Sequence, residues 1–184
     1  PGASTLFTGG DISVTAGSTI INGGGGSTID SSKPIVLNGH TLLFKQLASK
    51  SVGELNFNCS VRGKGLIDLG YSNDKLIYNF NKLSAQFNGM VSAQRFHGVV
   101  RFAAGNEAIG CRLMLARDAK ADGRLDVKGN FSLGALIIES IRFPKGVYSC
   151  EQLVALAKTK GKNIGDNLID NGGRVYVGIK VTDK

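Results

Sequence analysis

GKGLIDLGYSNDKLIYNFNKLSAQFNGMVSAQRFHGVVRF, residues 63–102, carries the rhythm from which the rest of the chain is read. Leu76, Tyr78 and Phe80 alternate with polar neighbours, Phe87 and Val91 flank Gly89, and Val100 and Phe102 close the stretch. Alternation of this kind marks half-buried strands, because successive side chains on a strand point to opposite faces. Gly, Asn, Ser or Lys stands at each break, and Gly and Asn supply the backbone freedom that a tight corner requires.

The same pattern extends in both directions. Upstream, Ile12 and Val14 alternate with polar residues, and Ile20–Ile21 make a second short run, so two initial rungs are expected there. The Asn38-Gly39 dipeptide separates Ile35–Leu37 from Leu42–Phe44 and predicts a turn. Downstream come the predicted strands Cys111–Leu115, Leu125–Val127, Phe131–Leu133 and Ala135–Ile141. Strands joined by corners at this spacing suit a sandwich, a barrel or a solenoid, and periodicity alone does not choose among them.

One segment departs from the strand rhythm. Ser149 followed by Gln152 fits a capping box, and Leu153, Leu156 and Ala157 share a helical face, so a short amphipathic helix is predicted over about 149–158. The last predicted strand, about 174–182, has Val175, Val177, Ile179 and Val181 in alternation.

The 184 residues suit one domain large enough to bury a core without staples. With 26 Gly and only 3 Pro, the composition favours many tight corners over a Pro-rich linker. A net charge of +8 attracts anionic partners such as acidic polysaccharide, although it also serves plain solubility. The tightest basic group, Lys158, Lys160 and Lys162, lacks the interleaved aromatics of single-strand binders, so no nucleic-acid partner is expected. No transmembrane segment or signal peptide is read, and a start at Pro1 without Met fits a mature secreted product or a trimmed chain. Cys59, Cys111 and Cys150 have no metal-ligand spacing. Cys59 and Cys111 are in step with core positions, and one disulfide among the three is left open.

Taken together, GGGGSTIDSSKPIVLNGHTLLF, VRGKGLIDLG, FNGMVSAQRFHGVVRF and FPKGVYSCEQLVALAK, followed by GGRVYVG, resemble the autotransporter-associated β-strand repeat of bacterial passenger domains and surface proteins. The resemblance runs over roughly residues 23–177. It implies an all-β fold, a right-handed parallel β-solenoid (β-helix) with one short C-terminal amphipathic helix. The LLFKQLASKSV and RDAKADGR stretches are longer than a tight repeat carries, and no outer-membrane barrel follows. The domain reading is a flexible N-terminal arm over 1–11 and a single solenoid over 12–184.

No stretch carries a complete catalytic or metal-binding motif. Gly23–Gly26 lacks the Lys of a phosphate-cradling loop. His40 and His97 read as surface corner residues with no nucleophile motif beside them. Asp68, Asp74, Asp118, Asp122 and Asp126 are the carboxylates that a polysaccharide-cleaving β-helix could pair, provided two of them project from adjacent rungs into one groove. KNIGDNLIDNGG is rich in oxygens but lacks the order of a calcium loop. The expectation is therefore no enzyme, no cofactor and no metal site. The role expected is that of an extracellular structural or adhesive protein, self-assembling by subunit or strand-edge contacts into a fibre or surface layer. The alternative is a carbohydrate-binding or polysaccharide-processing β-helix module. Partners are further copies of the chain, or acidic polysaccharide or surface matrix. The expected assembly residues are Leu6, Phe7, Ile12, Val14, Val175, Val177 and Ile179, and the expected location is secreted or cell-surface.

Overall fold

The computed structural model describes residues 4–8, 12–22, 27–46, 53–70, 72–115 and 123–182. The chain winds as a parallel β-solenoid. Its first turn lays down β1 (Ser4–Thr8), β2 (Ile12–Ser13) and β3 (Ser18–Asn22), so the two expected initial rungs are two sides of a single turn. The next turn repeats them as β4 (Ser27–Ser31), β5 (Ile35–Val36) and β6 (Thr41–Gln46), and the third as β7 (Gly53–Phe57), β8 (Val61–Arg62) and β9 (Leu66–Asp68). Then follow β10 (Ser72–Phe80) and β11 (Met90–Ala93), β12 (Phe96–Phe102) and β13 (Glu107–Leu115), and β14 (Arg124–Val127) and β15 (Asn130–Ile138). An excursion supplies β16 (Ile141–Arg142), β17 (Gly146–Tyr148) and helix α1 (Cys150–Lys158) before the winding resumes with β18 (Leu168–Asp170) and β19 (Arg174–Val177).

Stacking these turns makes three sheets. Sheet A runs β1-β4-β7-β10-β12-β14-β18, sheet C runs β3-β6-β9-β11-β13-β15-β19-β17 with β16 on β15, and the small sheet B is β2-β5-β8. Beyond β8 this side keeps a single parallel bridge, Gly63 to Phe87, within residues 81–89 between β10 and β11, and the later corners are shorter. Residues 103–106 carry the chain from β12 to β13, and Lys128 and Gly129 alone link β14 to β15. Gly105 (φ +75°) and Gly129 (φ +78°) adopt the left-handed backbone that lets so few residues turn the corner.

Parallel in-register stacking places like on like inside the coil. Leu42, Ile67, Val91, Leu113 and Leu136 form one inward column of sheet C, each at most 4% exposed. On sheet A, Phe57, Phe80 and Phe102 are consecutive partners, and Phe131 continues the aromatic stack at 5.2 Å from Phe102. Each such ring removes a large apolar area from water and gains further from offset stacking. Cys59 and Cys111 lie in this core, as their spacing predicts.

Two glycines mark places where backbones approach closely. At Gly98 a Cβ would lie 2.4 Å from the Leu76 carbonyl oxygen, and at Gly134 2.5 Å from that of Ile109, each beside a register shift between paired strands. The Asn38-Gly39 turn stands where the sequence predicts it, with Asn38 (φ +51°) and Gly39 (φ +88°) carrying the chain from sheet B to sheet C. Three expectations are adjusted. His97 lies within β12, not at a corner. The last strand stops at Val177, because Gly178 turns at φ +65° after its N–H donates to the Leu133 carbonyl. Within the expected arm, Ser4–Thr8 is a strand in register with β4, since alternating residues there meet a ready parallel edge. The stretches 23–26, 47–52 and 116–122, including Lys120, lie outside the described residues.

Candidate functional site

The two ends of the coil are built differently. At the N-terminal end, β1, β2 and β3 are the outermost strands of sheets A, B and C, each paired on one side only among the described residues. A parallel strand so placed leaves a row of N–H and C=O groups facing along the coil axis. All three rows face the same way.

At the C-terminal end both larger sheets are covered. Over sheet C, β17 pairs antiparallel with β19, reversing the sense of the ladder. Over sheet A, the start of α1 lies beside β18, and the Cys150 Sγ–H points at the Ile169 carbonyl at 3.9 Å. The helix begins where the sequence predicts. Ser149 Oγ accepts the Gln152 N–H at 3.3 Å, and Gln152 Oε1 accepts the Ser149 N–H at 2.9 Å. This reciprocal cap satisfies two donors that a helix start otherwise leaves open. Leu153 and Ala157 are fully buried against the last turns of the coil.

The expected assembly residues separate accordingly. Leu6 and Phe7 lie on β1 and Ile12 on β2, at the open end. Val14 is beside them but points into the core at 4% exposure. Val175 and Val177 are not at an edge: both are buried, and β19 is bonded on one side to β15 and on the other to β17. Ile179 follows the final strand and is half-buried. No sequence signal distinguishes a closed last strand from an open one, since alternation reads the same in both.

The two candidate carboxylates whose side chains are described, Asp68 and Asp126, do not pair as a polysaccharide-cleaving site would need. Asp68 belongs to sheet C, where its Oδ1 accepts the Gly70 N–H at 2.9 Å and its Oδ2 is 4.0 Å from Arg95. Asp126 belongs to sheet A, 1% exposed, and is held by two side chains: Arg101 Nε donates to Oδ2 at 2.8 Å and Asn171 Nδ2 to Oδ1 at 2.7 Å. Arg101 donates onward to Asn79 Oδ1, and Asn79 Nδ2 donates to Asn56 Oδ1 at 2.8 Å and Glu54 Oε2 at 3.1 Å. Asn56, Asn79, Arg101 and Asp126 are consecutive register partners, so one outward row of sheet A is a continuous ladder. Sequence reasoning missed it, because its members stand more than twenty residues apart. The side chain of Asp74, and Asp118 and Asp122 entirely, lie outside the described residues.

The remaining candidates have local tasks. His40 sits at the corner before β6, donating its backbone N–H to Leu37 and accepting from Leu66 through its carbonyl. In the oxygen-rich stretch, Asn163 and Asp170 each accept a backbone N–H two residues on, and Asn167 donates to the Gly123 carbonyl at 3.1 Å. No group of three or more potential ligand side chains gathers among the described residues. The three thiols are unpaired, and burial pushes Cys59 and Cys111 up to about 12 and Cys150 up to about 11, away from nucleophilic chemistry. No helix among the described residues is long and apolar enough to cross a membrane.

Comparisons with protein-family models, with curated proteins and with solved structures find no match for this chain.

Proposed function

We propose that the chain is a structural unit of an extracellular or cell-surface β-solenoid assembly, taking up further strands at its N-terminal end and ending the stack at its C-terminal end. The observation that carries this reading is the difference between the ends: three parallel strand edges at one, an antiparallel strand and a helix over the other. Main-chain ladders supply continuity, the inward columns supply stability, and the capped end prevents indefinite growth. The motif resemblance to autotransporter-associated repeats is what points outside the cell.

The test is sedimentation velocity over a wide concentration range, with electron microscopy of the same samples. Discrete end-to-end pairs are expected, and Leu6→Pro, which interrupts the outermost strand, is expected to abolish them while the far-ultraviolet circular dichroism persists. A monomer at every concentration would overturn the assembly role. Filaments of unlimited length would overturn the capping role.

A further inference from the structure

Sheet C has a gap in its pairing near the C-terminal end. β15 is paired with β19 over Asn130–Leu133 and with β16 at Ile137 and Ile138, and between these two partners no strand pairs with Gly134–Leu136 on that side. β19 turns away at Gly178, whose N–H donates to Leu133, while the Phe143 N–H donates to Leu136. The gap is a cavity of about 360 Å³, floored by Gly134, Ala135 and Gly178 and walled by Pro144 and Val177. Arg142 and Lys145 also line it, and both are exposed.

Neither cation has an ion-pair partner among the described residues. Arg112, on the neighbouring strand and in register with Ala135, has none either. By contrast Arg95, Arg101 and Lys180 each lie within 4.0 Å of a carboxylate. No carboxylate is among the residues that line the notch, which leaves Arg142 and Lys145 with nothing of opposite sign there. A chain of net charge +8 adds a long-range pull in the same direction. The rest of the lining is apolar, which suits the C–H face of a sugar ring, and its one aromatic residue, Phe143, is only 2% exposed and so offers no open plane for a nucleobase.

From this arrangement we infer a binding subsite for an acidic glycan, with Arg142 and Lys145 taking a carboxylate or sulfate group and Pro144 and Val177 meeting the ring. Arg supplies a planar fork and Lys a mobile point charge, a combination that holds an oxyanion while tolerating variation in its position. The site is independent of assembly through the N-terminal strand edges, since it lies toward the C-terminal end of the coil.

The test is calorimetric titration of the full chain with trigalacturonate, its fully methyl-esterified form, and inorganic phosphate. Binding of the free acid alone is expected, weakened about tenfold or more in Arg142→Gln/Lys145→Gln and unchanged in Lys158→Gln/Lys160→Gln, which removes equal charge elsewhere. Equal weakening in both variants would reduce the effect to net charge and overturn the subsite. So would equal binding of the ester, tighter binding of phosphate than of the glycan, or no binding. Unchanged melting of the variants separates loss of binding from loss of fold.

Discussion

Arg101 is the side chain whose removal tests the outer ladder of sheet A most sharply. The Asp126 side chain beside it is only 2% exposed, whereas Arg101 keeps 29% of its own surface in water. In Arg101→Met the Asp126 carboxylate retains the Asn171 amide and loses its counter-ion. Breaking a buried pair from one side costs about 3–5 kcal/mol, and the half-open position of Arg101 lets water approach, so about 3 kcal/mol is expected. In Asp126→Leu the guanidinium stays near Glu54 Oε1 at 3.9 Å and reaches solvent, so the cost is smaller, about 1–2 kcal/mol. The double variant Arg101→Met/Asp126→Leu leaves no buried charge. Its remaining penalty is the unmet acceptor of Asn79, about 1 kcal/mol, which puts it well above the sum of the single variants in stability. Urea unfolding followed by circular dichroism measures all four proteins, provided the slope with denaturant is the same in each. Additive costs, with no coupling between the two positions, would refute the claim that Asp126 is a structural carboxylate held by Arg101.

Two further outcomes follow from the core. The Tyr78 hydroxyl is buried with no hydrogen-bond partner among the described residues, and its ring is 5.5 Å from Phe44 and 5.1 Å from Phe96, so Tyr78→Phe keeps the packing and removes an unmet polar atom. It is expected to stabilise the chain by about 1 kcal/mol, and a loss of stability in thermal unfolding would show that the hydroxyl has a partner. Cys59 and Cys111 carry thiols raised by burial from 9.0 to about 12. Because the folded values lie above the unfolded ones, their contribution is fully present below about pH 9 and falls as pH rises toward 12. Cys59→Ala/Cys111→Ala is therefore expected to flatten the alkaline loss of stability, and an unchanged alkaline limb in urea titrations would assign that loss to other groups.

The legible part of this chain is the part governed by short-range rules. Alternation at Leu76, Tyr78 and Phe80 predicts a strand whatever its partners, and Ser149 with Gln152 predicts the helix start because a cap is made within four residues. Period-two alternation alone left sandwich, barrel and solenoid open, since the same half-buried strand serves all three. The resemblance of the ordered motifs chose the solenoid, and the stacked parallel sheets agree with it.

What only the tertiary structure decided is which residues meet across turns of the coil. Arg101 and Asp126 are 25 residues apart, and Asp126 and Asn171 are 45 apart, yet each pair lies within hydrogen-bond distance because successive turns bring their strands into register. The excursion through β16, β17 and α1 lengthens one turn without breaking that register, and nothing in the spacing of Asn171 announces it. The two ends likewise read alike in sequence: Ile12 and Val14 alternate as Val175 and Val177 do. One pair borders an open edge and the other is enclosed by β15 and β17, a difference set by the path of the chain between Ser140 and Asn167 and not by the strands themselves. Local patterning determines which residues can form a strand. Only the winding of the whole chain determines which strands are left with an unpaired edge.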